Sequence, residues 1–219
     1  MGFVDALRRC SGQDIRVGDV LLYYSSSLAI EVSGKVLSYL SRRRVGLVHP
    51  TFDNIPARFR RLGLELVAIE EDLLQKGGSL DDVLDVLHAL VIVMPNNPSG
   101  AWLSEGGFRG LLERCRARDV LVVLDFSFRS FVSDIQSWDQ YAAARESGAV
   151  YMIIEDTGKT LPLMELKVGA LSPHPSLRQL VETITDPSSA GVSRCAWSAG
   201  PRRKVFPLHR PVRGGVAVR

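Results

Sequence analysis

Short runs of consecutive apolar residues recur along the chain, and stretches with the composition of helices separate them. Residues 120–124 contain only valine and leucine, and residues 90–94 and 149–154 are almost as apolar. Strands of this kind are buried on both faces. Their alternation with helices is typical of a mostly parallel sheet that helices cover on both faces. The sequence therefore predicts an α/β fold, in which ligands bind at the carboxyl ends of the strands.

The other predicted elements continue the alternation. Further strands are expected at residues 20–24, 45–48 and 64–69. Helices are expected at residues 28–40, 55–61, 80–87, 104–118 and 137–146, the fourth with Ser104 as its N-cap.

Composition indicates a soluble globular protein. The chain has 219 residues, 46% hydrophobic and 23% charged, and no apolar run approaches the ~18 residues of a membrane span. The start of the chain has an acid at Asp5 and no long apolar segment, so we expect no secretory signal and a cytoplasmic location. The three cysteines lack metal-ligand spacing, so no metal site is predicted.

The basic residues are concentrated at the end of the chain. Of 27 basic residues, seven follow residue 186, and no acid does; the remaining 20 face 24 acids, so the body carries a charge of −4. This distribution argues against binding to nucleic acid. We expect a cofactor-binding domain at residues 1–186, and at 187–219 a basic tail that is disordered or foreign to the fold.

Gly158, Lys159 and Thr160 resemble the end of a nucleotide-binding P-loop. That loop requires a glycine five residues before Gly158, where this chain has Ile153. A nucleotide-binding α/β protein therefore stays a minor alternative.

Residues with polar or aromatic side chains follow several predicted strands. Ser25–Ser27 open a helix, where they can cap it or bind an anion. Asp125 directly follows an apolar strand, and a buried carboxylate needs a cationic or hydrogen-bonded partner. Lys159 follows the next strand.

These motifs, taken in order, resemble the large domain of pyridoxal-phosphate-dependent aminotransferases of class I and II. The resemblance covers residues 1–186 and rests on Ser-Ser-Ser, Pro-Thr-Phe, Asn-Asn-Pro-Ser-Gly, Asp-x-x-Phe and Gly-Lys-Thr. Asn97 and Asp125 are 28 residues apart, and Asp125 and Lys159 are 34 apart. The implied fold is that of the large domain of these transferases, and the implied cofactor is pyridoxal 5'-phosphate.

The resemblance implies a role for each residue. Lys159 would be the catalytic residue, holding the cofactor as a Schiff base and shuttling a proton. Asp125 would keep the pyridine nitrogen protonated, and Asn97 would hydrogen-bond the phenolic oxygen. Phe52 would stack on the ring.

The phosphate would be bound by Ser26 and Ser27, at the helix N-terminus, and by Lys167. Lys167 stands where the family usually has an arginine, so it keeps the charge and loses the bidentate fork.

Two cofactor-site positions depart from the family pattern. Phe128 stands where the family often has a tyrosine, so one hydroxyl contact would be missing. Asp156 replaces a serine or threonine, and its carboxylate would repel the phosphate unless it points away. Thr157 or Thr160 could then supply the hydroxyl.

The implied reaction is the transfer of an amino group between an amino acid and a 2-oxo acid, in a homodimer. Because the family's N-terminal arm and smaller C-terminal domain are not recognisable, we expect a truncated chain. A non-catalytic remnant or assembly partner with the same fold is the alternative.

Overall fold

Seven strands form one sheet, and helices pack on both of its faces. The computed structural model describes residues 3–76, 80–160 and 168–186. All the described elements belong to one unit, Met1–Asp186. The predicted tail, 187–219, lies outside the described residues.

The elements alternate along the chain as predicted. In chain order they are α1 (Phe3–Ser11), β1 (Leu21–Tyr23), α2 (Ser26–Tyr39), β2 (Arg44–His49), α3 (Asn54–Arg61), β3 (Glu65–Glu70), α4 (Glu71–Lys76), α5 (Leu80–Asp85), β4 (Ala89–Val93), α6 (Glu105–Ala117), β5 (Leu121–Asp125), α7 (Ser133–Gln136), α8 (Gln140–Ser147), β6 (Tyr151–Asp156), α9 (Thr157–Thr160), β7 (Gly169–Pro173) and α10 (Arg178–Thr185).

The strand order is β1-β7-β6-β5-β4-β2-β3. Among the described strands, only β7 runs opposite to the direction that the others share, and it lies between β1 and β6. The predicted mostly parallel α/β fold is therefore confirmed. The sequence did not predict β7, which is short and not preceded by a recognisable helix.

Two hydrophobic clusters cover the two faces of the sheet. On one face α2, α3 and α10 pack against alternate residues of the central strands, including Val123 and Ile154. On the other face α5, α6 and α8 pack against the intervening residues, such as Val122 and Ile153. Because residues alternate between the faces, the uniformly apolar strands supply both clusters.

Two helices begin two or three residues away from their predicted starts, and for the same physical reason. The helix predicted at 137–146 is α8, which begins at Gln140 because the Asp139 side chain accepts a hydrogen bond from the Ala142 N–H. The helix predicted at 28–40 begins at Ser26 because Ser25 caps it by accepting from the Leu28 N–H. In each case a polar cap decides where the helix starts.

Within the described part of the chain, no helix combines the length and the apolar character that crossing a membrane requires.

Gly169 fixes the position of the α2 N-terminus against the sheet. It is the first residue of β7 and pairs with Tyr23 of β1 and Asp156 of β6. A Cβ atom built on Gly169 would lie 2.2 Å from the Ser25 carbonyl carbon and 2.4 Å from the Ser26 nitrogen. These are backbone atoms that cannot rotate away, so only glycine allows β7 and α2 to approach this closely.

We expect Gly169→Ala to destabilise the fold by at least about 3 kcal/mol, because the added methyl group must displace the start of α2. Urea denaturation followed by circular dichroism measures the change. Gly110→Ala in α6 is the control: its Cβ would meet no atom within 4 Å, and we expect it to stabilise the helix by about 0.5–1 kcal/mol. Equal effects of the two substitutions would contradict the close approach.

Candidate functional site

The predicted site residues follow strands that end at one edge of the sheet. Strands β1, β2, β4, β5 and β6 share one direction, because β7 is antiparallel to both β1 and β6. Within the described residues, this edge receives the chain segments that contain the predicted site positions: Ser26, Ser27, Phe52, Asn97, Asp125, Phe128 and Lys159. Lys167 lies outside the described residues.

The two predicted serines begin α2 and make different contacts. Ser26 Oγ donates a hydrogen bond to Asp156 Oδ2 at 2.6 Å, and this pair is buried. Ser27 Oγ accepts one from Asn54 Nδ2 at 3.0 Å, which links α2 to the start of α3. The N-terminus of a 14-residue helix favours negative charge, and the Asp156 carboxylate is bonded to its first residue.

Asp125 is a buried carboxylate at the last position of β5. Its Oδ1 accepts hydrogen bonds from the Ser127 N–H at 2.9 Å and the Ser127 hydroxyl at 2.5 Å. Burial raises the pKa of Asp125; the Ser127 hydrogen bonds oppose that rise, the Asp156 charge adds to it, and Lys159 opposes it. Among the described residues, no cationic side chain forms a salt bridge with Asp125, so the site can accept a cationic ligand group here.

Lys159 lies in the single helical turn that follows β6 and is exposed. Its Nζ lies 5.3 Å from the centre of the Phe128 ring, in a cation–π arrangement. The structure thus brings together two residues that are 31 positions apart in the sequence. The Lys159 charge also acts on Asp125, so an amine and a buried carboxylate share this edge.

Two loops complete the edge. Phe52 is 45% exposed and Asn97 is half-buried. The residue that joins their loops is Asn96, whose amide donates to the Pro50 carbonyl at 2.8 Å and to Glu71 Oε1 at 2.7 Å. Sequence reasoning missed this anchor, since nothing in the pattern distinguishes it from Asn97.

The sequence left open whether the Asp156 carboxylate points away from the predicted phosphate site. Its carboxylate points to the α2 N-terminus, where Ser26 binds one oxygen, and the Gly158 N–H donates to the other at 2.8 Å. Thr157 Oγ1 bonds instead to the Val168 carbonyl at 3.1 Å and lies near the Val168 N–H at 3.3 Å. The side chain of Thr160 lies outside the described part of the structure.

A buried ion pair supports the site from the other face of the sheet, and no pattern in the sequence indicated it. Arg129 and Glu155 are 3% and 5% exposed, and their side chains approach to 2.5 Å. Arg129 also donates to Gln140 at 3.2 Å. Burial raises the pKa of Glu155 to about 7, although Arg129 opposes that rise. The pair fixes the loop after β5 to β6, and so positions Phe128 relative to Lys159.

The donor set fits a ligand that has an anionic group, a cationic ring atom and a carbonyl group. The α2 N-terminus with the Ser27 hydroxyl suits the anion, buried Asp125 suits the cation, and the Lys159 amine can react with the carbonyl. Pyridoxal phosphate, which the resemblance implies, combines these three features. Groups of three or more metal-ligating side chains are absent from the described residues.

Comparisons with known proteins agree with this interpretation. The family described as aminotransferase class I and II matches residues 6–199. A histidinol-phosphate aminotransferase from Bacillus subtilis subsp. natto is 25% identical over 193 residues, which are 85% of this chain and 52% of that protein. The chain therefore spans about half the length of this relative.

Solved structures show the same fold. A structure of MppP soaked with the product 2-ketoarginine has a TM-score of 0.73 and 40% sequence identity, covering 79% of this chain and 48% of that one. An aromatic-amino-acid aminotransferase from Burkholderia pseudomallei, covalently bound to pyridoxal phosphate, has a TM-score of 0.64 and 18% identity, covering 84% of this chain and 52% of that one.

The buried ion pair gives a pH-dependent prediction. We expect Arg129→Met to destabilise the fold by about 3–5 kcal/mol at pH 8, because Glu155 then loses its cationic partner and must either stay charged without compensation or take up a proton. At pH 5.5 the loss of stability should be smaller. Without Arg129 the folded-state pKa of Glu155 rises further, so the Glu155 carboxyl is protonated at pH 5.5. The stability of the variant then falls as the pH rises through that raised pKa. Urea denaturation at both pH values measures this.

The control for this experiment is Arg109→Met. Arg109 forms exposed ion pairs with Glu105 and Glu146, so its loss should cost about 1 kcal/mol or less. A loss for Arg129→Met that is equal at the two pH values would contradict the assignment of a charged buried pair.

Proposed function

The chain belongs to the class I and II aminotransferases, as its sequence predicts, and from that premise we propose that it binds pyridoxal phosphate and transfers an amino group between an amino acid and a 2-oxo acid. Pyridoxal phosphate is the cofactor of this family. The observation that carries the proposal is the buried carboxylate of Asp125, without a described cationic partner, at the same sheet edge as the amine of Lys159.

Each predicted site residue has a proposed role at this edge. Lys159 forms the covalent bond to the cofactor. Asp125 pairs with the protonated ring nitrogen, since burial makes an unpaired charge there unfavourable. When bound, the cofactor supplies an electron sink for negative charge at the substrate α carbon.

The remaining residues bind and orient the ring and its phosphate. Phe52 stacks on the ring, and its partial exposure leaves a face open to a ligand. Asn97 hydrogen-bonds the phenolic oxygen, and Phe128 contributes ring packing without the hydroxyl of the family's tyrosine. Ser26 and Ser27, at the α2 N-terminus, would hold the phosphate, and Lys167 would supply a positive charge.

Once the substrate amine has taken its place on the cofactor, the released Lys159 amine would be the group that moves the proton at the substrate α carbon. Its exposed position after β6 gives it the freedom to do so. Phe128, 5.3 Å from Nζ, limits the region that the amine can occupy. A positioned amine is a competent general base for such a transfer.

Residues 1–186 form the cofactor-binding domain in this proposal, and residues 187–219 are a separate basic segment. We also propose that the protein is cytoplasmic and assembles as a homodimer. The alternative is a non-catalytic remnant or assembly partner with the same fold. It is favoured by two departures from the family pattern, Phe128 and Asp156.

Our proposal for the substrate class is supported by a solved structure of higher sequence identity. MppP was soaked with 2-ketoarginine, named as its product, and shares 40% of its sequence with this chain over the matched region. The histidinol-phosphate aminotransferase shares only 25%. We therefore propose a basic amino acid with a guanidinium group as the amino donor.

Covalent attachment gives a direct test. We expect pyridoxal phosphate followed by borohydride to leave one reduced adduct, located by mass spectrometry on the peptide that contains Lys159. Lys159→Ala should abolish the adduct. Lys35→Ala is the matched control, because Lys35 is a surface residue that pairs with Glu31. Adducts spread over several lysines, or unchanged in Lys159→Ala, would contradict the proposed site.

Substrate choice is tested separately. With the cofactor bound, we expect arginine to yield its 2-oxo acid at least about tenfold faster than phenylalanine or histidinol phosphate, a difference of about 1.4 kcal/mol in transition-state binding. Mass spectrometry detects the products with and without an added 2-oxo acid acceptor. A dependence of turnover beyond one product molecule per bound cofactor on the acceptor supports amino transfer, and repeated turnover without the acceptor contradicts that reaction. No turnover of any substrate would favour the non-catalytic alternative.

A further inference from the structure

We propose that Asp156 is a positioning residue that weakens phosphate binding at the α2 N-terminus and directs the phosphate to the Ser27 hydroxyl. The inference rests on the proposed cofactor site. It concerns this chain's departure from the family, because the family has a serine or threonine at this position.

The hydroxyl proton of Ser26 is already used in a hydrogen bond. A serine hydroxyl has one proton to donate, and Ser26 Oγ donates it to Asp156 Oδ2 at 2.6 Å. The oxygens of a phosphate dianion can only accept hydrogen bonds. While this contact persists, the Ser26 side chain has no proton to offer a phosphate.

Ser27 differs from Ser26 because its hydroxyl accepts a hydrogen bond from a neighbouring side chain. Its Oγ accepts a hydrogen bond from Asn54 Nδ2 at 3.0 Å, so its own proton stays available. Asn54 thereby turns Ser27 into a donor. Of the two predicted phosphate-binding serines, only Ser27 can give its hydroxyl proton to the ligand without breaking a described hydrogen bond to a carboxylate.

The negative charge of Asp156 also opposes the binding of a phosphate at the α2 N-terminus. Asp156 is 8% exposed, and hydrogen bonds from Ser26 and from the Gly158 N–H hold both of its oxygens. The carboxylate is thus fixed beside the N-terminus of α2, where it already satisfies the preference of the helix for an anion. A phosphate that binds there meets a like charge that cannot easily turn away.

The close packing of β7 explains why Asp156 cannot move aside. Asp156 pairs with Gly169 in the β6–β7 ladder, and Gly169 lies directly against the backbone of Ser25 and Ser26. The carboxylate and the helix start are therefore held in one rigid unit. A contact of this kind acts chiefly on a ligand that carries a phosphate, and on other ligands only through the weaker effect of Asp156 on Asp125.

The test compares pyridoxal phosphate with pyridoxal, which lacks the phosphate. Dissociation constants are measured by absorbance titration for wild type and for Asp156→Asn, a substitution that keeps the shape and removes the charge. We expect Asp156→Asn to tighten pyridoxal phosphate binding about tenfold, as removal of a nearby like charge near a protein surface predicts. Pyridoxal affinity should change by less than about twofold, since pyridoxal carries no phosphate charge.

Matched controls separate this effect from a general change. Asp119→Asn removes an exposed carboxylate that pairs with Arg42 at the opposite end of β5, and it should change neither affinity. In wild type, Ser27→Ala should weaken pyridoxal phosphate binding and leave pyridoxal binding unchanged. If Asp156→Asn does not fold, as judged by circular dichroism, Asp156→Ser replaces it with the same expected direction.

The outcomes distinguish this inference from the proposed function. In one outcome both ligands leave a reduced adduct on Lys159, but Asp156→Asn leaves the ratio of their dissociation constants unchanged or lowers the preference for pyridoxal phosphate. The inference about Asp156 is then wrong, and the proposed cofactor site stands. If neither ligand gives a Lys159 adduct in either protein, the cofactor site is wrong, and this inference fails with it.

Discussion

The contact between Gly169 and the start of α2 determines how the candidate site is built. Because glycine has no side chain, β7 can lie against the backbone of Ser25 and Ser26, and the first turn of α2 is held at the end of β6. The same glycine pairs with Asp156, so the helix terminus and that carboxylate have a fixed relation. Every contact proposed for the phosphate depends on this arrangement, since it aims the N–H groups of the helix at one place.

Three carboxylates are buried at this end of β5 and β6, which is unusual in a hydrophobic core. Each is accommodated differently. Glu155 faces one side of the sheet and pairs with Arg129, while Asp156 faces the other side and binds Ser26. Asp125 has hydrogen bonds only from Ser127 among the described contacts, and burial raises its pKa. A buried carboxylate without a cation is costly for folding alone, and in the proposed site a cationic ligand group would offset that cost.

The site combines features of the family with features that separate this chain from it. The lysine, the aspartate and the asparagine stand in the family's order, whereas Phe128 removes a hydroxyl and Asp156 adds a charge. Both changes lie at the ends of strands whose apolar parts are ordinary for the fold. Binding strength and reaction can thus diverge while the sheet stays the same, because function resides in the side chains at the strand ends.

Much of the order of the elements and the identity of the chemical groups could be predicted from the sequence. Uniformly apolar runs such as 120–124, set between helix-like stretches, indicate doubly buried strands, and the spacing of Asn97, Asp125 and Lys159 carried the resemblance to the family. The packing of the chain, in contrast, inserts β7 antiparallel between β1 and β6, pairs Arg129 with Glu155 and turns Asp156 toward Ser26. These contacts join residues as far apart in the sequence as Leu21 and Leu171. Local propensity and periodicity act over a few residues, so they cannot specify which distant strand ends meet; the packing of the whole sheet does.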